Sequence, residues 1–327
     1  MDTRMMFPAL DTDVSLDVLK SRKIGLIGYG NQARAQAFNI RDSKFGVTIG
    51  LRAGSPHRTD ALKDGFNVVE LDALVRVCDL IMFLIPDSQH AAAFSAVASN
   101  LRLGQALGFA HGYTMHYKQL MPPPFVDVFL AAPKGVGEQL RRLFVQGSGV
   151  PVLIGVAQDV SGHALNLAAA YAKALGGGRP RAGIYLSSFA EETEADLFTE
   201  QVLICGGVSE LLKKSFEVLL EFGFPPEAAY FETVNELKLL VDLIHERGIA
   251  GMYEFTSPTA QYGGLTRGPR VVNDAVKDEM RRILTEIQSG DFAREFADAS
   301  RAAAVIQRLL AEIHDHPISQ TREKLVE

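Results

Sequence analysis

Tryptophan is absent from the 327 residues, and cysteine nearly so, with only Cys78 and Cys205. Two isolated cysteines make no disulfide framework, and each lies in an apolar stretch, so both are expected as buried, reduced thiols. Positive charge is also in deficit: 33 Lys and Arg stand against 39 Asp and Glu, for a net charge of −6. With no stripe of basic residues, this balance excludes a nucleic-acid binder. Long hydrophobic runs are missing too. The longest, around residues 80–85, ends at Pro86 and is far too short to span a bilayer. The first residues, MDTRMMFPALDTDVSLDV, carry acids and a proline and lack the apolar centre of a secretory signal. A soluble cytoplasmic protein is expected. The remaining composition, 47% apolar and 22% charged, is that of a globular protein long enough for two domains.

Short apolar runs at 24–28, 47–51, 80–85, 106–110, 126–131 and 152–156 alternate with stretches of helical composition. This alternation predicts βαβ units and a parallel sheet covered on both faces, a Rossmann-type α/β domain over residues 1–183. The glycine-rich Gly176-Gly177-Gly178-Arg179-Pro180 marks the change of character. Beyond it, residues 184–327 read as helical almost throughout. Segments at about 191–222, 227–247 (stopped by Gly248) and 271–288 precede shorter helices to Leu310. The polar tail from His314 is expected to be poorly ordered, with His314 and His316 exposed.

The first strand runs into Gly28-Tyr29-Gly30-Asn31-Gln32-Ala33, a G-x-G-x-x-A dinucleotide fingerprint. Gly28 permits the tight turn, Gly30 lets the backbone approach a pyrophosphate, and Ala33 lets the helix pack closely on the strand. The second strand ends in Leu51-Arg52-Ala53-Gly54-Ser55-Pro56-His57-Arg58, with no acid before Asp60. An NAD site wants a carboxylate there for the ribose hydroxyl, whereas these side chains suit the 2′-phosphate of NADPH. Two later strand ends add His111, in Ala110-His111-Gly112, and Lys134, in Pro133-Lys134-Gly135-Val136-Gly137. Ligands of open α/β sheets bind outside such carboxyl ends.

Two pairs of acids, Asp196 with Glu200 and Glu232 with Glu236, are spaced i, i+4 in helical segments. Each pair puts two like charges on one helix face, which needs a compensating cation or solvent. Solvated acidic faces are one reading. A hard divalent cation such as Mg²⁺, or a bridged pair of them, is the other.

With these pieces in place the chain closely resembles the ketol-acid reductoisomerases (acetohydroxy acid isomeroreductases), in their short bacterial form, from end to end. The resemblance is carried by Gly50-Leu51-Arg52, Ile85-Pro86-Asp87, Phe109-Ala110-His111-Gly112 and Ala132-Pro133-Lys134-Gly135, and by Glu191 through Phe198. Cys205-Gly206-Gly207-Val208, Tyr230-Phe231-Glu232, Glu236-Leu237-Lys238-Leu239 and Gly268-Pro269-Arg270 extend it. It implies a two-step conversion of a 2-acetohydroxy acid such as 2-acetolactate, by alkyl migration and NADPH reduction, in branched-chain amino-acid biosynthesis. It further implies two Mg²⁺ ions held by Asp196 and Glu200 of one subunit and Glu232 and Glu236 of the next. Ser257 would be a substrate contact, and His111, Lys134 and Glu192 active-site polar groups. Tyr29, Asn31, Gln32, Arg52, Ser55, His57, Asp87, Ser88, Gln89, His90 and Gly137, beside Gly28 and Gly30, would meet the cofactor. The helical domain would be knotted and interlocked in a homodimer or larger assembly.

The chain departs from the family pattern near these positions. Asn31-Gln32-Ala33-Arg34 replaces the usual Ser-Gln-Gly-His, Val136 interrupts the proline-lysine-glycine loop, and His57 and Arg58 replace a serine and an aromatic. Pro258 and Gln261 stand where acids are common, and a small insertion surrounds Arg179-Pro180. A divergent paralogue acting on another acetohydroxy or 2-keto acid, or a non-catalytic NADP-binding relative, is the alternative these changes raise.

Overall fold

The computed structural model describes residues 14–180 and 182–326, and the secretory-signal reading of the first residues falls largely outside them. The chain divides into two compact units, 1–193 and 194–327, with the division inside a single helix.

The first unit is built on one eight-stranded sheet: β1 Ile24–Ile27, β2 Val47–Gly50, β3 Asn67–Val69, β4 Leu80–Phe83, β5 Ala106–Phe109, β6 Asp127–Pro133, β7 Val152–Gln158 and β8 Ile184–Leu186. The order is β3-β2-β1-β4-β5-β6-β7-β8. Its helices are α1 Asp17–Lys20, α2 Asn31–Asp42, α3 Arg58–Lys63, α4 Leu71–Val77, α5 Asp87–Val97, α6 Tyr113–His116, α7 Gly137–Val145 and α8 Ala164–Leu175. Strands β1, β4, β5 and β6 are buried at every position. That is why they read as continuous apolar runs rather than alternating ones: helices cover both faces. One face packs Phe129, Ile154 and Tyr171, the other Phe83, Phe109 and Val128. The strand order reverses direction between β1 and β4, and a crevice opens there at the carboxyl ends.

Two features correct the expected all-parallel sheet. Strand β7 runs antiparallel to β6, with a register shift at Val128/Phe129. The connection from β6 through α7, residues 134–151, is as long as the parallel β5–β6 connection, residues 110–126, so its length and its helix do not mark the reversal in the sequence. Strands β3 and β8, of three residues each, carry too few residues for a pattern. The glycine-rich stretch caps α8: Gly176 has φ +107, and the Gly177 N–H reaches the Ala172 carbonyl. The chain then returns to the sheet as β8 before leaving the unit.

The second unit is helical. Helix α9 (Phe189–Thr199) leads into it, followed by α10 Gly206–Glu221, α11 Pro226–Tyr230, α12 Glu236–Glu254, α13 Pro258–Val271, α14 Asp274–Ser289, α15 Asp291–Phe296, α16 Ala299–Asp315 and α17 Pro317–Val326. Helix α12 breaks at Gly248, whose φ of +73 fits the expected stop, but resumes to Glu254. The expected disordered tail is corrected: residues 317–326 form α17. His316 anchors it, with Nε2 3.0 Å from Glu217 Oε1 and Nδ1 accepting from the Ile318 N–H, so His316 is not the exposed side chain its polar surroundings suggested. Cys205 is likewise exposed rather than buried, while burial pushes the Cys78 thiol up to about 11. Few apolar side chains of this unit are buried, Phe216 and Ile287 among them, and Phe222, Phe224, Leu239, Ile249 and Phe255 face outward.

Candidate active site

A cleft of 630 Å³ opens at the switch point of the sheet, lined by Gly28, Tyr29, Gly30, Leu51, Arg52, Ser55, His57, Leu84, Pro86, Ser88 and Gln89 among others. Gly28 has φ +107, and a Cβ there would lie 2.6 Å from the Leu84 carbonyl oxygen. Gly30, the residue before α2, has nothing within 4 Å of where its Cβ would stand. The two glycines therefore serve differently: Gly28 is demanded by the protein's own backbone, whereas Gly30 leaves room for something outside it. That open space at a helix N-terminus, beside Arg52, Ser55 and His57, fits a dinucleotide phosphate. Arg58 turns toward Glu70, 3.6 Å away.

Of the expected cofactor residues, Asn31, Gln32, Asp87, His90 and Gly137 do not line this cleft, and Tyr29 lines it with its hydroxyl engaged elsewhere. The hydroxyl of Tyr29 donates to Asp64 Oδ2 at 2.7 Å, and Arg34 grips the same carboxylate at 2.7 and 3.2 Å. The Arg34 guanidinium holds the Asp64 carboxyl below the usual carboxylate range. His90 is buried, with Nε2 2.9 Å from the Ile85 carbonyl and Nδ1 2.7 Å from Thr114 Oγ1. A carbonyl only accepts, so Nε2 carries the proton and Nδ1 accepts from the threonine. Burial lowers the imidazole pKa, which suits this neutral form. Asp87, at the start of α5, points to His111 (Oδ2 to Nδ1, 3.2 Å). Asn31 and Gly137 face each other: a Cβ on Gly137 would lie 2.1 Å from the Asn31 carbonyl oxygen.

A polar cluster gathers on Glu192, a carboxylate only 1% exposed on α9. Its Oε1 accepts from Lys134 Nζ at 2.7 Å and its Oε2 from the Gly112 N–H at 2.7 Å. His111 Nε2 lies 4.0 Å from Oε2. Gly112 is needed for this approach, since a Cβ there would stand 2.5 Å from the Phe189 carbonyl oxygen of α9. The structure thus brings His111, Lys134 and Glu192 together from the ends of β5 and β6 and from α9, with Asp87 behind the histidine. Nothing in the sequence marked Asp87 as a histidine partner, because 24 residues separate the two.

Asp196 follows Glu192 by one turn on α9, and Glu200 opens a π-helical turn over Glu200–Ile204. Glu232 lies in a second π turn, Phe231–Asn235, and Glu236 begins α12. Such turns are rare and collect at functional sites. No lysine or arginine occurs within 194–200 or 232–236, so each acid pair is a hard oxygen donor set of the kind Mg²⁺ takes. Among the described residues, Glu200, Glu232 and Glu236 join no cluster of three or more His, Cys, Asp or Glu ligand atoms. Ser257 caps α13, accepting from the Ala260 N–H at 3.2 Å, and Pro258 takes the first helical position, where its missing N–H is harmless.

A family model described as the acetohydroxy acid isomeroreductase NADPH-binding domain matches residues 18–183. One described as the ketol-acid reductoisomerase C-terminal domain matches 189–327. A ketol-acid reductoisomerase (NADP(+)) of Pyrobaculum calidifontis is 50% identical over 310 residues, 94% of each chain. The protein of that name from Pyrococcus abyssi is 46% identical over 312 residues, 95% of this chain and 93% of its own. The solved structure of an NADH-preferring ketol-acid reductoisomerase from an uncultured archean matches with a TM-score of 0.95 at 36% identity, covering 98% of each chain.

Proposed function

The chain belongs to the ketol-acid reductoisomerase family, an NADP-dependent oxidoreductase of branched-chain amino-acid biosynthesis, and on that premise we propose how its own residues divide the work. The reaction takes a 2-acetohydroxy acid, NADPH and a proton to a 2,3-dihydroxy acid and NADP⁺, with alkyl migration before reduction.

The observation that carries this assignment of roles is the buried Glu192 clamped between Lys134 and the Gly112 N–H, one turn before Asp196 on the same helix. Gly28 and Gly30 admit the pyrophosphate to the N-terminus of α2, and Arg52, Ser55 and His57 receive the 2′-phosphate. Asp196 and Glu200 would hold Mg²⁺ from one chain, and Glu232 and Glu236 from the second. When bound, the ions would supply Lewis-acid chemistry to the substrate's ketone and hydroxyl oxygens. Glu192 and Lys134 fix each other's polar ends at the reacting centre. His111, oriented through its Nδ1–H by Asp87, moves protons between substrate and solvent. Ser257, at the start of α13, is the substrate contact on the helical unit.

A homodimer is the smallest complete unit in this proposal. Its support is the apolar surface that the second unit leaves uncovered in one chain, at Phe222, Phe224, Leu239, Ile249 and Phe255. An interlocked pair of helical domains would bury that surface and bring the second acid pair to the first. Among the described residues no helix is long and apolar enough to cross a membrane.

Oxidation of NADPH with 2-acetolactate, 2-aceto-2-hydroxybutyrate and 3-hydroxy-3-methyl-2-ketobutyrate, each with and without Mg²⁺, tests the proposal. Mg²⁺-dependent turnover of an acetohydroxy acid is expected, faster with NADPH than with NADH. Turnover of the last compound alone would mean that only the reduction survives.

A further inference from the structure

We infer that the side chain of Gln32, inside the dinucleotide fingerprint, positions Lys134 rather than contacting the cofactor. The role inferred for it rests on the proposed part of Lys134 in the reaction. The side-chain amide of Gln32 donates from Nε2 to the Gly135 carbonyl at 2.8 Å, across 103 residues of sequence. Gly135 directly follows Lys134, whose own N–H is tied to the Pro151 carbonyl at 2.8 Å. The start of α7 presses on the same point of α2, since a Cβ on Gly137 would meet the Asn31 carbonyl oxygen at 2.1 Å. Loop 134–137 is therefore held to the first turn of α2 by one directed hydrogen bond and one backbone contact. The lysine it carries reaches Glu192 Oε1 at 2.7 Å.

The amide of Gln32 is itself held from behind. Gln36 Nε2 donates to Gln32 Oε1 at 3.4 Å, and the Tyr171 hydroxyl of α8 donates to Gln36 Oε1 at 2.7 Å. Gln36 and Tyr171 are fully buried, and burial keeps the phenol protonated, well above its ordinary range. The chain of donors has one possible direction. The Gly135 carbonyl only accepts, so Gln32 must present its NH₂ there and its oxygen to Gln36. Gln36 must then present NH₂ to Gln32 and oxygen to Tyr171, which donates. Three side chains on two helices thus fix one amide orientation, and such networks gain from acting together. Gln32 does not line the 630 Å³ cleft, although Gly28, Tyr29 and Gly30 just before it do.

Gln32→Met, of similar length with no donor, is the test, read against the parent protein three ways. We expect kcat at saturating NADPH to fall about tenfold or more, because small displacements of a catalytic group are costly. NADPH Kd, from fluorescence titration, should stay within about twofold, since affinity changes tenfold only for about 1.4 kcal/mol. Labelling of Lys134 by an amine reagent, followed by mass spectrometry without substrate, should speed up selectively over the other lysines. Tyr171→Phe should give the same pattern in weaker form, and it decides the matter if Gln32→Met does not fold. A parent protein without turnover sinks the proposed function, while Lys134 labelling still decides the inference. A tenfold loss of NADPH affinity with unchanged kcat and unchanged Lys134 labelling would make Gln32 a cofactor ligand and overturn it.

Discussion

Gly30→Ala and Gly28→Ala lie two residues apart and should fail in opposite ways. Gly30 has φ −78 and ψ −167, extended backbone open to any residue, and its Cβ would enter empty space. Removing unfolded-state freedom by Gly→Ala at such a site stabilises by about 0.4–1 kcal/mol. Alanine is a poorer N-cap for α2 by a comparable amount, so the net change should stay within about 1 kcal/mol. The methyl nevertheless occupies the space through which the pyrophosphate would approach the α2 amides. Losing one charge-assisted hydrogen bond there costs roughly 1.5–3 kcal/mol, or about ten- to a hundredfold in Kd. Gly28 differs because its φ of +107 is hostile to a side chain, and the atom in the way is the Leu84 backbone oxygen, just beyond β4. Left-handed strain of about 1–2 kcal/mol, with about 1–3 kcal/mol of overpacking, puts Gly28→Ala at roughly 2–5 kcal/mol of lost stability. Urea unfolding of the cofactor-free proteins and NADPH fluorescence titration read the two effects separately. A Gly30→Ala protein that binds NADPH with parental affinity would refute the placing of the pyrophosphate.

Glu192→Gln should lower kcat by about a hundredfold or more, since it removes the charge that Lys134 faces and sets an amide donor against donors, with NADPH Kd within about twofold; a parental kcat would contradict the role given to Glu192. His90 has a folded pKa below its unfolded value, so below about pH 6.5 the unfolded chain binds a proton that the folded one refuses. The stability contributed is present above that pH and lost as pH falls through it, with a slope of at most about 1.4 kcal/mol per pH unit. Urea midpoints from pH 7.5 to 5.5 should fall more steeply for the parent than for His90→Gln, and equal slopes would count against a buried neutral histidine.

The parts of the site that were legible in the sequence are those fixed by neighbours along the chain. The turn Gly28 to Ala33 is local chemistry: a positive φ at one glycine and open space at the next sit where the pattern put them. Lys134 and His111 could be placed at strand ends because buried strands announce themselves as apolar runs. What escaped is set by distant pairing. The reversal of β7, the Asp87–His111 contact and the Gln32–Gly135 bond each join segments with no local signature. Cys205 looked buried because apolar residues surround it in sequence, yet it ends a π turn on an exposed helical surface. The tail from His314 looked disordered because it is polar, whereas one histidine accepting from Ile318 and facing Glu217 starts a helix there. The acid pairs were visible as i, i+4 spacings, but the π turns that carry them were not.

Co-expression of Asp196→Asn and Glu232→Gln chains probes the sharing of the metal site between subunits. Each variant alone should be inactive. If each site draws one acid pair from each chain, random pairing makes half of the dimers mixed, each with one intact site, and restores about a quarter of parental Mg²⁺-dependent turnover. No recovery from well-folded mixed dimers would place all four carboxylates on one chain and contradict the shared site.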